Sequence, residues 1–401
     1  MKAKQIMIVF ITLLMTLIEG LSIAQLKSST QPFDSLNQKL EFLVTELVEK
    51  DSSVRNCVLS VLKNDSSYFW SGAAGIASQE NQLPMTKETQ IYIASITKLY
   101  TATVIMKLYE NGIISLDDPI SKYLTEELYR GIHIYKGKDY SDKITIKQLL
   151  SHTSGIADYY SEKSKAGKSL FELFLEDPER TWTVDETIER ARKDMEPNFP
   201  PGTDASYSDT NFQLLGKLIE IVTGKPLHEV YDDFLFSPLA LKHTWLTSYS
   251  KSELTTSCTP ADVFYNNKII NTVRSNGSYW ADGGIISTAE ECIIFLKALN
   301  EGHIVSISTL KLMHNWHKLE FPFKYGYGSM YFELPPSQNI PPLWGHSGSI
   351  GSFLYYSEEW NMYIAGTINQ VEAKSTPFIL MISVMQVIQT EIEEQQIKNS
   401  I

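Results

Sequence analysis

Ser95-Ile-Thr-Lys98 puts a hydroxyl and an amine three positions apart. On a helix that spacing places both side chains on one face. The stretch follows a short apolar run, Ile91 to Ala94, and opens a helical pattern that continues to about Leu108. The pair would stand at a helix N-terminus, where backbone N–H groups and the helix dipole favour developing negative charge. A serine hydroxyl is a poor nucleophile until a base takes its proton, and an amine is one group able to do so.

The same spacing recurs at Ser60/Lys63, Ser248/Lys251 and Ser308/Lys311, so alone it reads as a solvated helix face. Ser95 is set apart by three other segments. Leu149-Leu-Ser-His-Thr-Ser-Gly155 is a helix end followed by a hydroxyl-rich turn, whose His152 and Ser154 read as turn-stabilising side chains. Phe199-Pro-Pro-Gly-Thr-Asp-Ala-Ser-Tyr-Ser-Asp209 is a stiff turn delivering Tyr207 and Asp209. Trp344-Gly-His-Ser-Gly-Ser349 precedes a strand. The G-x-S-x-G nucleophile elbow of another hydrolase design is absent, since Gly345-His-Ser-Gly-Ser349 fails at its last position.

In this order the segments resemble the serine β-lactamase and penicillin-binding-protein superfamily, in its branch of class C β-lactamases, D,D-carboxypeptidases, D-aminopeptidases and esterases. The likeness also runs through Leu116-Asp-Asp-Pro119, Leu214-Leu-Gly216, Pro238-Leu239 and Gly283-Gly-Ile-Ile-Ser-Thr288, over residues 35–385. It implies an α+β fold: an antiparallel sheet flanked by helices, with an inserted, mainly helical domain. It implies Ser95 as the acylated nucleophile, Lys98 as the group that holds or takes its proton, and Tyr207 as the relay to the leaving group. Lys98 would then need a depressed pKa. The backbone N–H groups of Ser95 and Ser349 would form the oxyanion hole, with His346, Ser347 and Gly348 beside the substrate.

Two positions depart from the family pattern. His346 stands where a lysine is common, so recognition of a substrate carboxylate would be weaker or pH-dependent. Asp209 stands where an asparagine is common. A carboxylate only accepts hydrogen bonds unless protonated, so Asp209 is expected to anchor Lys98 or to cap the next helix. The activity implied is hydrolysis of amide or ester bonds in D-amino-acid peptides or esters. The alternatives are a β-lactamase and a non-catalytic penicillin-binding homologue. The partner expected is a small molecule or short peptide, with no cofactor, metal or nucleic acid.

The elements that must position these residues lie far apart in the chain. Residues 36–50 have the spacing of an amphipathic helix, and 57–62 and 67–75 that of two strands. Asn111-Gly112 closes the Ser95 helix. The pattern from there to about residue 274 is mostly helical, with loops at 136–143 and 161–169, and the stretches 136–143 and 159–169 are expected to shape the cleft and its specificity. Strand signals return at 326–332, 352–356 and 362–368, and a last helix from Pro377 is expected to fray into the polar tail from Glu391. One sheet domain (32–110 with 275–401) and one helical domain (111–274) follow, with the cleft between them. Trp344, Tyr325 and Tyr327 are read as cleft or core, with two of the three in the core.

Composition agrees with this reading. The chain has 401 residues, 43% hydrophobic, and a net charge of −12, which disfavours nucleic-acid binding. Lys2 and Lys4, the apolar run Ile6 to Ile18 and the small residues of Ser22-Ile-Ala24 read as an export signal, residues 1–24. The run is short of the ~20 residues of a membrane span, so the mature protein would be periplasmic or secreted, and an uncleaved leader its only membrane attachment. Cys57, Cys258 and Cys292 allow at most one internal disulfide and read as buried thiols. His314 and His317 lack a third ligand at metal spacing.

Overall fold

The computed structural model describes residues 35–251, 259–270, 278–320, 322–373 and 375–400. The leader and Cys258 lie outside these.

Helix α1 (Leu36–Lys50) starts at a capping box, Ser35 with Gln38, and buries Leu40, Leu43 and Val44. Strands β1 (Asn56–Lys63), β2 (Phe69–Ser78) and β3 (Leu83–Pro84) follow. More than 200 residues later come β4 (His317–Lys318), β5 (Phe323–Tyr325), β6 (Met330–Phe332), β7 (Leu343–Ser347), β8 (Ser352–Ser357) and β9 (Met362–Thr367). These nine strands form one antiparallel sheet in the order β4-β5-β6-β7-β8-β9-β1-β2-β3. The closure is the β1–β9 pair, which sets Val58 opposite Thr367 and Lys63 opposite Met362. The expected fold class therefore holds.

Both sheet faces are covered, so the central strands read as nearly unbroken apolar runs. Successive side chains go to opposite faces. Cys57, Leu59, Val61, Phe353, Tyr355 and Ile364 pack under α1 and the last helix, whereas Val58, Leu354, Tyr356 and Ala365 face the other helices. Each fully buried aliphatic side chain contributes roughly 1.5–3 kcal/mol. That inner layer contains α2 (Thr97–Glu110), α3 (Asp209–Thr223) and α4 (Ala289–Asn300), with α5 (Thr376–Ser400) on the outer face.

α2 is enclosed on all sides: every residue from Thr97 to Met106 is buried. It ends where expected, with Asn111 as C-cap and Gly112 at φ +71°. α5 does not fray at Glu391 but runs to Ser400, because its glutamates, glutamines and lysine are good helix formers. The stretch 136–143 is partly ordered: Lys138–Asp139 pairs with Ile134–Tyr135 in a small hairpin. The strand expected at 326–332 begins only at Met330, after a turn in which Gly326 donates its N–H to Ser329 O (2.8 Å). Cys57 and Cys292 are free and buried, and burial pushes both thiols up to about 12. Among the described residues no helix is long and apolar enough to cross a membrane.

Candidate active site

Ser95 is presented by a short strand followed by a tight turn. Ile91–Tyr92 pairs with Ile285–Ser287, which also pairs with Trp245–Leu246. Ile93 N–H donates to Ile285 O (3.1 Å). Ala94 then takes φ +46°, a conformation costly for a residue with a Cβ. A single 3-10 turn, Ala94–Ile96, carries Ser95 into α2. Ser95 is thus one turn ahead of the regular helix, yet residues three apart still eclipse in a 3-10 turn.

Gly348 closes the turn from the sheet side. A Cβ there would meet Ser352 Oγ at 2.1 Å, Ile93 O at 2.8 Å and Ala94 Cβ at 2.9 Å. Ser352 Oγ itself donates to Ile93 O (2.9 Å). We expect Gly348→Ala to lower stability by about 1–3 kcal/mol through overpacking, and to displace Ser349 from Ser95. A thermal melt and a kcat measurement check this; an unchanged kcat would mean that the close approach is irrelevant to the site.

Lys98 has no exposed surface. Its Nζ donates to Ser95 Oγ (3.1 Å) and to Asp282 O (2.7 Å), and it forms an ion pair with Asp209 Oδ1. These contacts use all three donors of an ammonium. Burial alone would lower its pKa, but the carboxylates of Asp209 and Asp282 overcome that and hold it above the usual lysine value. This reverses the expected depression: Lys98 rests as a cation. Asp209 is the first residue of α3, not its cap; Ser208 holds the N-cap position. Of the two roles open to Asp209, the structure selects the anchor for Lys98.

Tyr207 stands over the same ammonium, its ring centroid 5.0 Å from Lys98 Nζ. Its ring is partly exposed, but its hydroxyl oxygen is buried and makes no hydrogen bond among the described residues. Burial, with the Asp209 charge adding to it, pushes the phenol well above 10; the nearby Ser95 hydroxyl opposes the shift without cancelling it. His152 backs the ring at 4.3 Å between centroids. Its Nδ1 accepts from Ser208 N–H and Asn211 Nδ2, both at 3.1 Å, and Ser154 Oγ donates to Asn211 Oδ1 (2.7 Å). The two turn residues therefore set the register of the Tyr207 segment.

His346 is fully buried and turned onto Tyr325. Its Nδ1 donates to Ser347 O (2.8 Å), so Nε2 is the acceptor for the Tyr325 hydroxyl (2.9 Å). Burial, reinforced by the Lys98 charge, pulls it down to about 3. It is a neutral support for Tyr325, not a partly charged wall of the cleft. Ser347 Oγ pairs with Tyr355 OH (2.6 Å). Tyr325, Tyr327 and Trp344 are all buried, one more than expected.

Ser95, Asp209 and Ser349 line one cavity together with Asp282, Tyr160 and Tyr279. Asp282 and Asp158 were not singled out in the sequence. Asp158 Oδ1 accepts the Asp209 N–H (3.0 Å), and Asp282 Oδ2 accepts the Tyr159 hydroxyl (2.5 Å). Burial, with Asp209 adding repulsion, raises Asp158 to about 7 and Asp282 to about 6, Lys98 partly offsetting the latter. Two carboxylates, Asp209 and Asp282, thus act on the Lys98 ammonium, and Asp158 stands behind Asp209. Of the two loops expected to shape the cleft, 159–169 contributes Tyr160, and 136–143 contributes nothing to the lining. No group of three or more potential metal ligands converges among the described residues.

Comparison with known proteins places this geometry. A family model described as Beta-lactamase matches residues 44–378. An N-acetylmuramyl-L-alanine amidase of Bacillus subtilis is 28% identical over 84% of this chain and 81% of its own length. Penicillin-binding protein 4 of Amycolatopsis lactamdurans is 24% identical over 71% of this chain and 72% of its own. Among solved structures, a D-stereospecific amidohydrolase from Streptomyces sp. superposes with a TM-score of 0.68 at 28% identity, covering 86% of this chain and 97% of that one.

Proposed function

The chain belongs to the Beta-lactamase family, and on that premise we propose that it is a serine hydrolase cleaving amide or ester bonds through an acyl-enzyme at Ser95. The observation that carries the proposal is the 3.1 Å contact between Ser95 Oγ and Lys98 Nζ at a cavity that Ser349 also lines. The substrate carbonyl would lie between the N–H groups of Ser95 and Ser349. Two such fixed donors favour the tetrahedral oxyanion, and losing one costs roughly 10²–10³ in rate.

As Ser95 Oγ bonds to the carbonyl carbon, its proton passes to the Lys98/Tyr207 unit. The same unit returns a proton to the departing amine or alcohol, and water then attacks the acyl-enzyme. With Lys98 cationic and Tyr207 neutral at rest, the proton-accepting form is a minority. The two groups titrate as one unit, and the rate should climb with pH.

Two features favour an amidase or esterase over a β-lactamase. His346 is neutral, and among the described residues no lysine or arginine lines the cavity, so the described lining offers a substrate carboxylate no cation. The intact set of Ser95, Lys98 and Tyr207 argues against a non-catalytic homologue. The relatives named amidase, amidohydrolase and esterase agree with this choice. Export to the periplasm or medium belongs to the same reading, on the strength of residues 1–24.

The experiment is turnover of p-nitrophenyl acetate, combined with fluorophosphonate labelling and peptide mapping. Label on the peptide containing Ser95, with loss of turnover in proportion, is expected. Label elsewhere, or none with turnover intact, overturns the mechanism.

A further inference from the structure

Hydrolysis of an acyl-enzyme needs a group that takes a proton from water, and the groups around the Ser95 cavity differ in their ability to do so. Lys98 rests as a cation, and burial holds the phenols of Tyr207, Tyr160 and Tyr279 above their usual value. His152 and His346 stand behind Tyr207 and Tyr325 and are not among the lining residues. Three carboxylates remain. Asp158 does not line the cavity: its Oδ1 accepts the N–H groups of Asp209 (3.0 Å) and Tyr160 (3.3 Å), and its Oδ2 the N–H (3.1 Å) and hydroxyl of Ser161. Asp282 lines it, but the Tyr159 hydroxyl donates to Oδ2 (2.5 Å) and the Trp280 N–H to Oδ1 (3.1 Å). Asp209 lines it with one oxygen uncommitted. Its Oδ1 holds Lys98, its Oδ2 accepts no hydrogen bond among the described residues, and its side chain keeps 12% of its surface open.

We propose that Asp209 is the general base of the second half-reaction: through Oδ2 it takes the proton from the water that hydrolyses the acyl-enzyme at Ser95. The assignment rests on the hydrolase reading and adds a catalytic residue to it. Ser95 Oγ and Asp209 Oδ1 meet the same ammonium nitrogen, so at most two hydrogen-bond lengths, about 5–6 Å, separate them. That gap suits one water between the carboxylate and the acyl carbon, which is the reach a general base requires. The water oxygen bonds to the acyl carbon as its proton passes to Oδ2. The negative charge that forms on the carbonyl oxygen would face the N–H groups of Ser95 and Ser349. When the bond from the acyl carbon to Oγ breaks, Oγ takes a proton from the Lys98 ammonium, 3.1 Å away. The Asp209 carboxyl then returns its proton to the Lys98 amine, which restores the ion pair, and the free acid leaves with the second proton of the water. One carboxylate thus anchors the ammonium with Oδ1 and serves the water with Oδ2.

The test separates the two half-reactions on the full chain with p-nitrophenyl acetate. Release of p-nitrophenol is followed before and at steady state, and the acetyl-enzyme is caught by acid quench and mass spectrometry. In Asp209→Asn the first turnover should persist as a burst, while the steady-state rate falls by about 10²–10³-fold and acetyl accumulates on the peptide containing Ser95. The amide keeps the shape of the carboxylate and can still accept from Lys98, and a thermal melt checks the fold. Asp209→Ser should behave alike, so the test survives the failure of one variant to fold. Hydroxylamine, a nucleophile that needs no base, should discharge the accumulated acetyl-enzyme and lift the steady-state rate of the variant at least about tenfold. A role confined to positioning Lys98 predicts no such rescue, because Oγ must still draw its proton from that ammonium. A steady-state rate within about threefold of wild type, loss of the burst together with turnover in folded protein, or an acetyl-enzyme that hydroxylamine does not discharge overturns the assignment. Failure of the wild type to release p-nitrophenol in a Ser95-dependent way instead overturns the hydrolase reading beneath it.

Discussion

Ser95→Ala is expected to lower kcat/KM on p-nitrophenyl acetate by about 10⁴-fold or more, leaving only what binding and the oxyanion site contribute. The fold should survive. The substitution removes one oxygen at a half-buried position, and the Lys98 ammonium keeps Asp209 and Asp282 O as partners. The cost is about that of one hydrogen bond, ~1 kcal/mol. The decoy pairs supply the controls. Ser60 lies on β1, where its hydroxyl pairs with Ser71 Oγ (2.8 Å), and Ser308 is exposed on a short surface helix. Ser308→Ala should leave both labelling and turnover unchanged. If Ser95→Ala keeps more than about a tenth of wild-type activity with its melt intact, Ser95 is not the nucleophile.

How much of this was legible beforehand depends on the kind of signal. Elements with a strong period came through: α1 from its leucines, the central strands from their apolar runs, α2 from the pattern ending at Asn111-Gly112. The site segments came through because residue types at fixed spacing carry chemistry. Burial and charge state did not. The expectation of a depressed Lys98 followed from its role, but the value depends on which carboxylates the fold brings near. Asp158 and Asp282 lie 60 and 184 positions beyond Lys98 in non-periodic loops, and only tertiary packing sets Asp282 beside the ammonium and Asp158 behind Asp209. Asp282 directly precedes the Gly283-Gly284 pair, a cue that a polar group approaches the site closely. His346 likewise looked like a charged wall until β5 and β7 placed Tyr325 against it.

The second large effect is expected at Lys98, and it separates chemistry from stability. Lys98→Met removes the amine of the Lys98/Tyr207 unit, and kcat/KM should fall by about 10³–10⁴-fold. It also leaves Asp209 and Asp282 without their counter-ion. Breaking a buried pair on one side costs about 3–5 kcal/mol. The penalty requires ionised carboxylates. Asp282 already titrates near 6 with Lys98 in place, and loss of that cation moves it higher. The destabilisation is therefore full above the raised carboxylate values and relieved as pH falls through them, so the gap in melting temperature from wild type should narrow between pH 8 and pH 5. Asp209→Asn acts in the opposite sense on chemistry. It removes the foremost of the charges that raise Lys98, so the rising limb of the pH profile on p-nitrophenyl acetate should move to lower pH. The double variant Lys98→Met/Asp209→Asn then decides between the two roles. It should recover much of the lost stability, because cation and partner anion leave together, while activity stays at the Lys98→Met level. If the double variant regains activity, or if Lys98→Met alone melts like wild type at pH 8, Asp209 and Asp282 do not share Lys98 as their counter-ion.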